Sequence, residues 1–300
     1  MHISITGRLG SGKSTIAKIL KRKYGYRIYS TGAIHREIAL RHNVSTLEMN
    51  SMMENDLSYD YAIDNEVTRI SVEKCSETII FDSRMAWKFA KDSFKVFVTV
   101  DPVTAAERVI EDNRGKEEVY SDIEDARIKL IERSKLENRR FIDIYNVDYF
   151  DYNNYNLILD STYVTADELA EIAYEKFQNY CESSSETTIL MSPESLYPLN
   201  PIIEFDLTNQ EIRKEYSDNS VTIIENEFYH YITKGQQRVL SAVLGKDKLI
   251  NVNLDKEKSS FFYSNKEELL SKTHEIGLKG LKDYEKIYMF SYKSYPSSYN

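Results

Sequence analysis

A short apolar strand, Ile3-Ser4-Ile5, runs into Gly7-Arg8-Leu9-Gly10-Ser11-Gly12-Lys13-Ser14, and a helical pattern begins at Lys13. The octapeptide fits G-x-x-x-x-G-K-[ST], and its setting between a strand and a helix gives so short a pattern its weight. Gly7, Gly10 and Gly12 allow the backbone to curl so that its N–H groups, with Ser11 and Thr15 beside them, converge on phosphate oxygens. Lys13 supplies a point charge, Ser14 a hydroxyl for a metal ion, and the helix aims its positive end at the same anion. A strand, a phosphate loop and a helix in this order commit the start of the chain to an α/β fold.

The 300-residue sequence fits about two domains, and its 41% hydrophobic content suffices for two cores. A net charge of −9, from 48 acidic against 39 basic residues, provides no global field for nucleic acid or an anionic membrane. Cys75 and Cys181 form no C-x-x-C pair, which fits a reducing compartment. With no apolar run of membrane-spanning length and no leader pattern, a cytoplasmic protein is expected. The 23 tyrosines cluster at Tyr145 to Tyr155 and Tyr284 to Tyr299, and with few cations interleaved they read as packing rather than a base-stacking surface.

Strand patterns at Ile3 to Thr6, Arg27 to Tyr29, Thr78 to Phe81, Lys95 to Val100 and Asn156 to Leu159 alternate with amphipathic stretches. The latter are Lys13 to Tyr24, Gly32 to Arg41, Tyr59 to Cys75, Val103 to Asp112, Ser121 to Tyr145 and Ala166 to Tyr180. The alternation predicts a five-stranded parallel sheet with helices on both faces over residues 1–181. A polar linker is expected at 182–188, followed by a smaller α+β domain over 189–300. In that second part, strands are expected at Ile189 to Met191, Val221 to Ile224, Glu227 to Ile232 and Leu249 to Leu254. Helices are expected at Asn209 to Tyr216 and Gln236 to Leu244, whereas the chain after Ser259 carries no clear period.

Ligands of open α/β sheets gather beyond the carboxyl ends of the strands. Ser30-Thr31-Gly32 with Arg36 follows the second strand, and Asp82-Ser83-Arg84 follows the third, so both should face Lys13 across one crevice. Arg36 and Arg84 there suit a second phosphate group, that of an acceptor. Asp82 is positioned as a metal- or water-directed acid, making Ser14 and Asp82 the metal candidates. Arg108, Arg114, Arg127, Arg133, Arg139 and Arg140 punctuate a charged stretch, and Arg133 and Arg140 share a helix face. Such a stretch serves either as a lid that stabilises charge on a migrating phosphoryl group or as a solvated face with pairs such as Arg133–Glu137.

The segments HISITGRLGSGKSTIAKIL, YGYRIYSTGAIHREIA, TIIFDSRMAW and DPVTAAERV, with the arginine-rich stretch after them, resemble the cytidylate kinase family over about residues 1–180. That resemblance implies a P-loop nucleoside monophosphate kinase using ATP and Mg²⁺. It implies that Ser30, Arg36 and Arg84 lie at the monophosphate site and that Arg114, Arg133 and Arg140 belong to the lid and its flanks. Asp82 is expected on the acceptor side too, Arg114 at the cofactor, and Lys13, Arg84, Arg133 and Arg140 among the catalytic residues. His35 stands where many members have tyrosine, and Met85 stands where bacterial members have an acid. A nucleoside monophosphate of the CMP or dCMP kind is the expected partner, with no nucleic acid or membrane.

Met191 to Pro201 and Tyr231 to Ala242 are similar to the ParB/sulfiredoxin-like superfamily, in which a Gly-x-x-Arg turn after a strand binds nucleotide phosphates. The resemblance, over residues 189–254, implies a second anion site at Gly235, Gln236, Gln237 and Arg238. Residues 186–300 hold two arginines and twelve lysines against seventeen acids, which argues against DNA. A different class of reading is a nucleotide-responsive switch whose second domain engages a partner. The paired acceptor arginines favour the enzyme.

Overall fold

The computed structural model describes residues 1–31, 58–112, 120–183, 187–200, 220–226, 228–255 and 266–299. The chain divides into two compact units. One comprises residues 1–100, 105–161 and 165–187, and the other 101–104, 162–164 and 188–300. The expected helices at Gly32 to Arg41 and Asn209 to Tyr216 lie outside the described residues, as do Arg36 and Arg114.

The first unit is built on five strands: β1 (His2–Gly7), β2 (Arg27–Ser30), β3 (Ile79–Asp82), β4 (Ser93–Thr99) and β5 (Leu157–Asp160). They lie side by side in the order β2-β3-β1-β4-β5, and every neighbouring pair is parallel. All six residues of β1 are buried, as suits a strand covered on both faces. The helices are α1 (Lys13–Tyr24), α2 (Ser58–Glu73), α3 (Ala86–Phe89), α4 (Pro102–Glu111), α5 (Ile123–Tyr145) and α6 (Ala166–Glu182). Ile16, Ala17, Ile19 and Leu20 form the buried stripe of α1. Asp122 caps α5 by accepting from the Asp125 N–H at 2.8 Å, and Thr165 and Glu168 close a capping box on α6.

The turn out of β1 depends on two glycines. A Cβ on Gly7 would stand 2.3 Å from the Val98 carbonyl oxygen, so β1 and β4 approach too closely there for a side chain. Gly10 has φ +73° and a Cβ there would meet the Ala105 carbonyl oxygen at 2.7 Å, so both conformation and space exclude other residues.

In the second unit, β6 (Thr188–Met191), β7 (Leu196–Pro198), β8 (Val221–Asn226), β9 (Tyr229–Lys234) and β10 (Ile250–Leu254) accompany α7 (Gln236–Gly245) and α8 (Lys266–Tyr288). The pairs β10–β6 and β8–β9 are antiparallel, while β10–β8 and β7–β9 are parallel. The aperiodic segment after Ser259 contains α8, whose pattern is interrupted because Gly277, at φ 61° and ψ 169°, breaks the helix.

Many of the described tyrosines are core residues, in both units. Tyr149, Tyr152 and Tyr155 are buried, and the last two pack against Phe97. In the second unit Tyr292 stacks on Tyr197 at 4.5 Å between ring centroids and donates to the Leu196 carbonyl at 3.2 Å. Tyr197 donates to the Ser294 carbonyl at 2.7 Å, so these rings bury apolar area while their hydroxyls stay paired. Tyr292→Ala is expected to cost about 3–5 kcal/mol by the scale of buried aromatic truncations. Tyr292→Phe, which loses only the hydrogen bond, should cost about 0.5–1.5 kcal/mol. Urea unfolding of the full chain checks both, and equal effects would show that the ring contributes nothing through packing.

Candidate active site

The carboxyl end of β1 organises the site. The Arg8 N–H donates to the Val98 carbonyl at 3.0 Å, carrying the loop away from β4, and the Ser11 N–H closes back on the Arg8 carbonyl at 3.2 Å. Gly12, at φ 80°, then opens α1 without a side-chain cap, and the Thr15 and Ile16 N–H groups both turn back to its carbonyl. Arg8 turns inward and is 2% exposed. Its guanidinium donates to Thr99 Oγ1 at 3.2 Å and lies 4.7 Å above the Phe150 ring.

Thr6, next to the loop, ties the turn after β3 to β1. Its hydroxyl donates to the Arg84 carbonyl at 2.8 Å and to the Ser83 carbonyl. From that turn the Arg84 side chain donates back to the Gly7 carbonyl at 3.0 Å and to Glu137 Oε2 on α5 at 2.9 Å. Glu137 also accepts from Arg133 Nε at 3.0 Å, one oxygen to each arginine. Burial works against charge on Arg84, but the adjacent Glu137 carboxylate overrides it and holds the guanidinium above its ordinary pKa. Burial likewise pushes Glu137 up, but Arg84 and Arg133 prevail and its pKa falls below the ordinary carboxylate value. Arg133 and Glu137 are thus more than a surface pair: Glu137 is 24% exposed and shared with a residue 53 positions away.

Ser14 Oγ donates to Asp82 Oδ2 at 2.7 Å, which brings the two sequence-derived metal candidates together. The described residues enclose a cleft of about 660 Å³. Of the candidate site residues, Lys13, Ser14, Thr15, Ser30, Asp82, Arg84 and Arg133 line it. Arg140 reaches α2 instead and pairs with Asp60. Arg36 and Arg114 fall outside the described residues. In the second unit, Gly235 at φ 81° opens α7, Gln236 Nε2 lies 3.5 Å from the Asn200 carbonyl, and Arg238 pairs with Asp247 at 3.6 Å.

Asp60, Asp64 and Tyr145, which carry no motif, also line the cleft, as does Glu137, which the sequence marks only as the i,i+4 partner of Arg133. Asp60 and Asp64 lie four apart on α2, one helix face, which is the available signal in the sequence. Tyr145, at the end of α5, donates to Asp64 Oδ2. Burial raises the Asp64 carboxyl to about 6; the tyrosine bond opposes this and nearby Asp60 adds to it. Tyr145 is itself pushed well above the ordinary phenol value by burial and by Asp64. Among the described residues no helix is long and apolar enough to cross a membrane.

The model of the cytidylate kinase-like family matches residues 2–163. A cytidylate kinase of Sulfurisphaera tokodaii is 32% identical over 181 residues, covering 60% of this chain and 96% of that protein. One from Sulfolobus acidocaldarius is 29% identical over 174 residues, covering 57% and 91%. Among solved structures, a shikimate kinase from Bacteroides thetaiotaomicron is 15% identical, covers 61% of this chain and 98% of its own, and superposes with a TM-score of 0.40, too slight a likeness to carry an argument. The family match spans more than half of the 300 residues and contains the phosphate loop, the turn after β3 and all of α5. The chain therefore belongs to the cytidylate kinase-like family, and it is a phosphotransferase of the kinase kind.

Proposed function

We infer that the chain transfers the γ-phosphoryl group of ATP, with Mg²⁺, to a nucleoside monophosphate of the cytidylate kind. The observation that carries this reading is the lining of one cleft by two sets of groups: Lys13 and Ser14 of the phosphate loop, and the Arg84–Glu137–Arg133 bridge. A phosphate loop alone needs one phosphate ligand; arginines held in the same cleft suit a second. In this reading Lys13 and the phosphate loop hold the donor phosphates. Arg84 grips the acceptor phosphate, and Arg133 meets charge on the migrating group. Phosphoryl transfer requires little covalent help from the protein, so fixed positions and fixed charges supply the catalysis. Glu137 contributes by holding both guanidinium groups before any substrate arrives, which lowers the cost of ordering them.

The residues present fit Mg²⁺. Ser14 Oγ and the Asp82 carboxylate are adjacent hard oxygen donors, of the kind that Mg²⁺ takes together with water and phosphate oxygens. When bound there it supplies neutralisation of charge on the phosphate oxygens. Ser14 and Asp82 orient each other for that role through their hydrogen bond.

Purified protein incubated with ATP, Mg²⁺ and a panel of nucleoside monophosphates is expected to form ADP and a nucleoside diphosphate. Lys13→Ala should lower kcat by about 100-fold or more, on the scale of losing one charge-stabilising donor. Arg84→Ala should chiefly raise KM for the acceptor, by about tenfold or more, with a smaller effect on KM for ATP. ADP formation equal to that of Lys13→Ala across the whole panel would contradict the function.

The Asp64 carboxyl yields a separate expectation. Its folded-state pKa of about 6 lies above the unfolded value of about 4, so the fold favours the neutral acid. Its stabilising contribution is complete below about pH 4 and lost as the pH rises through about 6. Asp64→Asn, which cannot ionise, should therefore gain melting temperature relative to the parent at about pH 7.5, and the gain should shrink at about pH 4. Thermal melts at the two pH values check the sign; a difference independent of pH would remove the raised pKa.

A further inference from the structure

Part of the cleft wall is apolar. Ile63, Met85, Phe141 and Tyr145 line it there, apolar or aromatic surfaces suited to a flat ring, with Asp60 and Asp64 among them. The two acids have different surroundings. Asp60 is paired with Arg140. Asp64 is only 9% exposed and faces no paired cation; its side chain is held by the Tyr145 hydroxyl on Oδ2, and no described residue hydrogen-bonds its other oxygen. That second oxygen opens on the cleft that Asp64 lines, where it can accept a hydrogen bond from a ligand. Above about pH 6 that oxygen is an acceptor only.

We propose that Asp64 determines which base the acceptor carries: the oxygen not held by Tyr145 accepts a hydrogen bond from an exocyclic amino group, selecting an amino-bearing base over its oxo counterpart. The proposal rests on the reading of the chain as a nucleoside monophosphate kinase and adds the residue that reads the base. Cytosine offers N–H donors at ring position 4, whereas uracil offers a carbonyl oxygen, and two acceptors facing each other in a buried site repel. Tyr145 is a positioning residue. By occupying Oδ2 it fixes the carboxylate in one orientation, so the group cannot turn to suit either base.

The test is equilibrium binding of CMP and UMP by calorimetry, with phosphoryl transfer to each measured in parallel, at about pH 7.5. AMP and IMP serve as a second amino/oxo pair. The parent is expected to favour the amino member of the better-bound pair. In Asp64→Asn the Tyr145 hydroxyl retains the amide oxygen, and the NH₂ group faces the base where an acceptor stood. The amino-to-oxo ratio should then fall by about 10- to 100-fold, with binding of the oxo base improving. Tyr145→Phe should lower the same ratio by letting the carboxylate turn, while KM for ATP stays within about twofold, a split that general loosening of the fold would not produce. Asp64→Ala, which lowers the ratio by removing the acceptor, carries the test if Asp64→Asn does not fold. A parent that favours the oxo base, or an unchanged ratio in the Asp64 variants, overturns the proposal. If monophosphates bind and accept phosphoryl groups while the ratio stays unmoved, the base assignment alone fails; if none binds or reacts, the kinase reading fails with it.

Discussion

The first unit depends on how closely β1 approaches its neighbours at its carboxyl end. Gly7 lies against the Val98 carbonyl with no room for a Cβ, and Thr6, one residue earlier, is tied to the carbonyls of Ser83 and Arg84. The phosphate loop and the turn after β3 therefore leave the sheet from adjoining points. Arg84 returns to the Gly7 carbonyl and reaches out to Glu137, so the same few atoms of β1 also set the position of this arginine in the cleft. A side chain at position 7 would move the loop and that arginine together. The buried, all-parallel neighbours of β1 make this constraint stiff, since close-packed interiors do not deform continuously.

From that constraint the division of the cleft follows. Lys13, Ser14 and Asp82 concentrate hard oxygen and cationic groups at one end. Arg84 and Arg133, each bound to its own oxygen of Glu137, form a preset pair of charges in the same cleft. Asp64 and Tyr145 complete the wall with an acceptor set among apolar side chains. Each group is supported by a second residue that fixes its orientation, which is the arrangement that lets positions and charges act as catalysts.

Much of this architecture is legible in the chain. Apolar runs locate the strands to within about two residues because parallel strands are buried on both faces, and Lys13 and Ser14 follow from the loop pattern. The short β7, Leu196–Pro198, is concealed by proline on a three-residue strand, and α8 by its break at Gly277. The acidic wall is harder to read. Glu137 has a local i,i+4 partner in Arg133 that accounts for it as a surface residue; only the fold reveals Arg84 as its second partner. Asp64 and Tyr145 are 81 positions apart and carry no motif, so their meeting is a product of α2 and α5 packing. Met85 is buried and lines the cleft next to Arg84, and it brings no acid to that part of the wall.

The central claim is that donor and acceptor phosphates occupy one cleft at the same time. Calorimetric titration with a bisubstrate analogue, adenosine joined to a nucleoside through a bridging polyphosphate, tests it directly. One analogue per chain should bind more tightly than either ATP or the monophosphate, because the second contact becomes intramolecular, and it should displace both. Binding no tighter than that of ATP alone, or a monophosphate that stays bound beside the analogue, would contradict a shared cleft.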